Sequence, residues 1–291
     1  MSVVIALLVG LAAVLVGMGA AALRARRLGV VAVVDVAWGA GFVLVALSTA
    51  VLGTAIGDGT GWRRWLVVGL VAVWGLRLAW HVRSRALGDH GGKEDPRYSA
   101  MLGGSLAEVG MATAVRRVFL VQGLAQWLVA VPVMVGAVLD AAWWPAVAAG
   151  VVVWGVGLFF EAVGDRQLAA YKAQPRSSRP AVMDRGLWAW TRHPNYFGDA
   201  TVWWGIWLAA GLGSGWVAGL ATVACPAIMT LFLVRVTGVR LLEKTMMQRP
   251  GYPEYAARTS AFVPLPPRRA DVPLPRSTGG VRSRPSHRRS T

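Results

Sequence analysis

The chain has 291 residues, 55% of them hydrophobic, and a mean hydropathy of +0.50, values that exclude an ordinary water-soluble domain of this length. Its 30 Lys and Arg against 14 Asp and Glu give a formal charge of +16, but the basic residues are spread over alternate connections instead of one soluble face, which argues against a nucleic-acid partner. The single cysteine, Cys225, lies within an apolar run, so an internal disulfide and a thiolate metal cluster are both excluded.

Crossing about 30 Å of hydrocarbon takes about 20 helical residues. Apolar runs near 2–22, 29–52, 65–82, 118–139, 143–163, 200–213 and 216–236 predict an all-α, polytopic membrane protein with about seven transmembrane helices. The sixth run is short and rich in Gly. Because the first run opens without a basic segment and the charges follow it, it reads as a retained helix and not a cleaved signal. Arg24, Arg26 and Arg27 follow the first span. Arg83, Arg85, Lys93, Arg97, Arg116 and Arg117 fill the connection after the third. Arg166, Lys172, Arg176, Arg179, Arg185 and Arg192 fill the one after the fifth, whereas the intervening connections hold only Arg63 and Arg64. The positive-inside rule then places the N-terminus outside and the C-terminus in the cytoplasm.

Residues 241–263 mix apolar and charged positions and break at Pro250, Gly251 and Pro253. They read as two short amphipathic helices at the cytoplasmic interface. From 264 onward Pro, Arg, Ser and Gly dominate, so the chain divides into a membrane domain, 1–263, and a disordered basic tail, 264–291, lying against anionic headgroups. Arginine outnumbers lysine, and Ala, Val and Gly abound; this bias points to a GC-rich bacterial genome and the cytoplasmic membrane, with membrane lipids as partners. The oligomeric state is not legible.

Asp35 stands several residues inside the second span, where a lone carboxylate is costly and must be neutral or paired, for example with Arg77. Trp38, Gly39 and Gly41 follow, and the small residues let a helix or a ligand approach closely. Arg77, near the end of the third span, either snorkels to headgroups or meets an anion. The connection RSRALGDHGGKEDPRY lacks both the dinucleotide and the P-loop glycine spacings, so phosphates there would be held by arginines. Glu161 and Asp165 share a helix face at i, i+4. They repel unless they share a cation, a sugar hydroxyl or a proton, and no further ligand cluster supports a metal. The run DRGLWAWTRHPNYFGD, 184–199, gathers an arginine, a histidine, an asparagine, a tyrosine and an acid beside an apolar stretch, which marks it as a ligand site.

Together VDVAWGAGF, WGLRLAWHVRSR, EDPRY, EAVGDRQLAAYK, GLWAWTRHPNYFGD and EYAARTSAFVP make the chain resemble the DUF1295 group. That group is related to steroid 5-alpha-reductase-like enzymes and more distantly to isoprenylcysteine carboxyl methyltransferases. The resemblance implies a seven-helix enzyme that binds NADPH from the cytoplasm and reduces the activated carbon-carbon double bond of an enone-like lipid or steroid-like substrate. By that resemblance the cofactor-binding residues are Arg85, Glu161, Asp165, Lys172, Arg192, His193, Asn195, Tyr196, Asp199 and Arg235. Asp35 corresponds to the acid that helps hold the substrate carbonyl. The reductases pair this acid with a tyrosine on the third helix, where this chain has Trp74 and Trp80; Tyr98 or Tyr196 is left to take that part, and Tyr98 is the catalytic candidate beside Asp35.

The chemistry of a reductase is consistent with these residues. Hydride addition to an enone builds negative charge on the carbonyl oxygen, and a protonated acid or phenol stabilises it. A membrane-buried Asp35 can stay protonated for that purpose, and the tryptophans would line a slot for the lipid. Two other readings stand beside it. One is an S-adenosylmethionine-dependent methyltransferase using His193, Asn195 and Glu243. The other is a non-enzymatic membrane protein, for which polar residues near the helix midplanes would be expected.

Overall fold

The computed structural model describes residues 1–89, 93–236 and 238–267, and the predicted tail lies outside them from 268 onward. Apolar composition without long polar linkers produces an almost wholly helical chain. Helices α1 (Ser2–Leu28), α2 (Val33–Ala55) and α3 (Gly61–Asp89) are followed by two short helices, α4 (Pro96–Leu102) and α5 (Leu106–Val109). Next come α6 (Met111–Val129), α7 (Val131–Val138) and α8 (Trp144–Ala173). Helix α9 (Pro194–Ile206) runs on through a π-helical turn, Trp207–Gly211. Helices α10 (Trp216–Thr222), α11 (Ala224–Leu231), α12 (Val239–Met246) and α13 (Tyr252–Arg258) complete the order. The last two are the pair of short helices expected at 241–263, separated near Pro250 and Gly251.

Among the described residues five helices are long and apolar enough to cross a bilayer: Ser2–Leu28, Val33–Ala55, Gly61–Ala86, Trp144–Ala173 and Trp216–Met246. The pair α6 and α7, bent by 44°, makes a sixth if counted as one span. The bend falls at Pro132, whose ring removes a backbone donor and clashes with the preceding turn. Against about seven apolar runs in the sequence, five or six helices among the described residues meet both conditions, length and apolar character. The remaining run, 200–213, is α9 with its π-helical turn, a shorter element that lies antiparallel along α8.

That pairing has a cause in sequence. Gly150, Gly157 and Gly164 recur every seventh residue on α8 and meet Gly205, Gly198 and Pro194 of α9 in reverse order. A Cβ on Gly157 would stand 2.5 Å from Val202 N and 2.7 Å from Gly198 O, and one on Gly150 would stand 2.6 Å from Gly205 O. Only glycine permits backbones this close. A similar contact joins α2 to α3, where a Cβ on Gly39 would lie 2.3 Å from Gly75 O.

Aromatic packing fills the centre. Phe42 meets Trp203 at 4.4 Å and Trp74 at 5.6 Å between ring centroids, and Trp74 meets Trp203 edge-on at 5.2 Å. Trp74 and Trp203 are fully buried, while Trp62, Trp65, Trp80, Trp143, Trp144 and Trp216 are exposed. Of the tryptophans expected to line a lipid slot, Trp74 and Trp203 therefore pack against each other, those exposed ones face outward, and Trp127, Trp188, Trp204 and Trp207 donate their indole N–H groups to internal partners. Arg63 and Arg64 depart from expectation as well. They are buried, and they donate to the carbonyls of Gly136 and Ala137 at 2.8 Å, to Ser214 at 2.7 Å and to Thr54 at 2.9 Å. They thereby satisfy carbonyls that the end of α7 leaves open.

Candidate functional site

Three pairs spaced i, i+4 converge where α3, α8 and α9 meet: Arg77 and His81, Glu161 and Asp165, Asn195 and Asp199. Each pair occupies one face of its helix, and the glycine contacts bring the faces together. Arg77 is the hub. Its guanidinium lies 2.6 Å from Glu161 Oε1 and donates twice to Asp165 Oδ2 at 3.0 Å. Asn195 donates through Nδ2 to Asp165 Oδ1 at 3.1 Å, and His81 Nε2 stands 3.6 Å from Asp165. Glu161, Asp165 and Asp199 are all buried. Arg77 therefore pairs with the acids of α8 and not with Asp35.

Asp35, expected several residues inside the second span, lies in the first turn of α2 and is held in a second cluster. Asp95 caps α4, its side chain accepting from Arg97 N at 2.9 Å, with Pro96 in the first turn. This geometry turns the next residues toward α2. Tyr98 donates its hydroxyl proton to Asp35 Oδ1 and accepts from Gln122 Nε2 at 3.0 Å. Arg97 bridges Asp35 Oδ2 at 3.3 Å and Asp95 Oδ2 at 2.8 Å. Glu94 accepts from Val31 N at 2.6 Å and Ala32 N at 3.0 Å, fastening the EDPRY segment to the N-terminus of α2, where negative charge is favoured. Burial, then the neighbouring Asp35 charge, pushes the Tyr98 hydroxyl above the usual phenol range. It consequently keeps its proton at neutral pH and acts as a hydrogen-bond donor. The hydrogen bonds to Asp95 hold Arg97 above its ordinary value despite burial.

The two clusters share a rim. Arg85 and Arg97 lie close enough to act electrostatically on both Asp35 and Tyr196, and Tyr196 N donates to Asn195 Oδ1 at 3.1 Å. Arg192 and His193 face elsewhere. Arg192 makes a two-pronged bond to Glu243 at 2.6 and 2.9 Å and donates to Ala256 O at 2.9 Å and to Thr259 O. His193 Nε2 is 3.2 Å from the same Glu243. The adjoining backbone is tied to the C-terminal segment by Arg192 N to Ser260 O at 2.8 Å. These two residues thus clasp the segment around α12 and α13 onto the loop that presents Asn195. Lys172 sits in the last turn of α8, and Arg235 is exposed in the π-helical turn Phe232–Val236.

Of the residues singled out from sequence, the structure gathers Glu161, Asp165, Asn195 and Asp199 in one cluster and Asp35 with Tyr98 in the other. Gln122 and Glu94 escape a reading of the sequence, since a lone glutamine on an apolar helix and one acid in a charged loop carry no periodic signal. Arg77 stands out in sequence without its partners, although its i, i+4 spacing to His81 marks a polar face inside a span.

The helices and their polar clusters define an all-α polytopic membrane protein whose buried acids, Glu161, Asp165 and Asp199, gather where α3, α8 and α9 meet. The chain belongs to the DUF1295 family, proteins of unknown function, whose family model matches residues 23–259. No curated protein and no solved structure matches it.

Proposed function

We propose that the protein is an NADPH-dependent membrane reductase acting on an activated, enone-like carbon-carbon double bond of a lipid or steroid-like substrate. In this reading it sits in the bacterial cytoplasmic membrane with its long connections in the cytoplasm. The observation that carries the reading is the contact between Tyr98 and Asp35. It supplies the phenol-and-acid couple that the third helix lacks, drawing the phenol from the short helix that follows.

The residues present suit the cofactor. Glu161 Oε2 and Asp199 Oδ1 are buried acceptors without a partner among the described residues, fitted to amide or hydroxyl donors. Together with Asp165 and Asn195 they would hold the uncharged part of the nucleotide, and Arg85, Lys172 and Arg235 would meet its phosphates. When bound, NADPH supplies hydride. The chain's own part is to stabilise the oxyanion. The substrate carbonyl would accept the hydrogen bond that Tyr98 otherwise donates to Asp35, while Gln122 keeps the phenol oriented by donating to its oxygen. Asp35 and Arg97 fix the position of that donor.

Replacing Tyr98 with Phe is expected to leave NADPH affinity unchanged and to lower turnover by about 10²- to 10³-fold, the usual loss when one oxyanion donor is removed. The measurement is NADPH oxidation over a panel of enone lipids. Full turnover in the variant would remove Tyr98 from the chemistry. The methyltransferase alternative would use Glu243, whose two oxygens are engaged by Arg192 and His193.

A further inference from the structure

Arg24 and Arg27, near the end of α1, are exposed and make no hydrogen bond or ion pair among the described residues. Arg77, Arg97 and Arg192, by contrast, each hold a carboxylate. No Asp or Glu precedes Asp35 in the sequence, and Asp35 is engaged by Tyr98 and Arg97. Two like charges at i, i+3 on one helix repel each other, so the pair is left with a positive charge that nothing on its own helix offsets.

The two arginines line a groove of about 200 Å³ together with Ala20, Leu23 and Leu28. These positions follow at i, i+3, i+4, i+7 and i+8 and so form one face of α1, while Met18, Ala21 and Ala25 are buried on the other. Leu23 and Leu28 are more than half exposed. At about 1.5 Å per residue the uncharged run 2–23 extends about 33 Å, close to the thickness of the hydrocarbon layer, which leaves Arg24 at its edge. The groove therefore straddles the boundary: its arginines reach headgroup level, and Ala20 and Leu23, with the exposed Val16 a turn deeper, face acyl chains. Helix α6 adds a further cation. It lies antiparallel to α1, with Trp127 donating to Leu7 O at 3.0 Å and a Cβ on Gly123 standing 3.3 Å from Met18 Cγ. Two turns before Gly123, the exposed Arg116 comes to the level of the last turns of α1.

We propose that this groove binds an anionic phospholipid, its phosphate gripped by Arg24 and Arg27 and one acyl chain lying along Ala20, Leu23 and Val16. The C-terminal end of a helix favours cations of itself, but that preference does not require an apolar-edged groove between them. Guanidinium groups hold a phosphodiester through paired, charge-assisted bonds, and basic pockets at the ends of membrane helices take anionic headgroups in this way. A zwitterionic lipid would bring a cation of its own to a site that already has two and no acid, so the net-negative headgroup is preferred. The apolar walls select a lipid over a free anion. The site uses none of the residues of the acid cluster or the Asp35–Tyr98 couple, and it does not depend on the reaction the protein carries out.

Native mass spectrometry of the full chain in detergent, titrated with dioleoylphosphatidylglycerol or dioleoylphosphatidylcholine, tests the site. The first phosphatidylglycerol should bind more tightly than the first phosphatidylcholine. R24Q/R27Q, which alters exposed side chains that bond to nothing in the fold, should weaken that step about 25-fold, about fivefold for each arginine lost beside an anionic headgroup. R268Q/R269Q removes the same charge from the C-terminal tail and should leave the step unchanged. Glycerol phosphate, the anion without the chains, should not displace the lipid at equal concentration. The proposal is overturned by equal affinity for the two lipids, by an unweakened first step in R24Q/R27Q, by an equal loss in the tail variant, or by displacement with glycerol phosphate.

Discussion

Replacing Arg77 with Met should destabilise the protein by about 3 to 5 kcal/mol, the usual cost of removing one partner from a buried ion pair. The methylene stem is nearly matched in volume, so the loss is electrostatic. Glu161 and Asp165 lose their shared counter-ion at 2.6 and 3.0 Å, and Asp199 remains buried beside them. Thermal melting in detergent should show a large fall in Tm. Adding D165N to the variant should recover part of it, since one of the orphaned acids is then neutral, and such non-additivity is expected of groups in one network. Strict additivity of the two changes would show that Arg77 does not hold the acids together.

The second large effect concerns the backbone contact that assembles the site. Gly157→Ala places a Cβ 2.5 Å from Val202 N and 2.7 Å from Gly198 O. Both are main-chain atoms of the facing helix and cannot rotate away, so α8 and α9 must separate along their length. The change should cost several kcal/mol, comparable to the larger core disruptions. Gly155→Ala is the control, because a Cβ there meets nothing within 4 Å. It should be neutral or stabilising by up to about 1 kcal/mol, as alanine is the better helix former. Parallel melting curves separate the two outcomes. Equal behaviour would mean that the glycine ladder does not set the helix spacing.

Much of this arrangement is legible in the amino-acid sequence. Apolar runs locate the long helices, the i, i+4 acids at 161 and 165 announce a polar face, and an acid within an apolar run singles out Asp35, which the structure puts in the first turn of α2. The partners of these groups are not legible, because each contact joins helices far apart in sequence. Arg77 meets Asp165 across 88 positions, and Asp35 meets Tyr98 across 63. Hydrophobic periodicity records which face is buried but not what it is buried against. Arg63 and Arg64 illustrate the same limit: charge counting treats them as loop cations, while the open carbonyls at the end of α7 draw them inside. The difference between seven apolar runs and five or six helices that are long and apolar enough to cross has a related reason. A glycine-rich run can lie along a neighbouring helix without being long and apolar enough to cross by itself, and Pro132 bends another span in two.

Arg192 shows where a motif misleads by its composition. Its position in TRHPNY suggests a hand on the ligand, but its donors go to Glu243, Ala256 and Thr259. Among the described residues it secures the loop, and Asn195 is the residue that the loop delivers to the acid cluster. The run TRHPN is thus divided between fastening, by Arg192, and presenting, by Asn195.

The central claim, that the acid cluster and its basic rim receive NADPH, is tested most directly by titrating the purified protein with NADPH and with S-adenosylmethionine while following tryptophan fluorescence. The account predicts saturable binding of NADPH, tighter than that of the methyl donor and lost in Asn195→Ala without loss of helical content. Saturable binding of S-adenosylmethionine with no response to NADPH would contradict it.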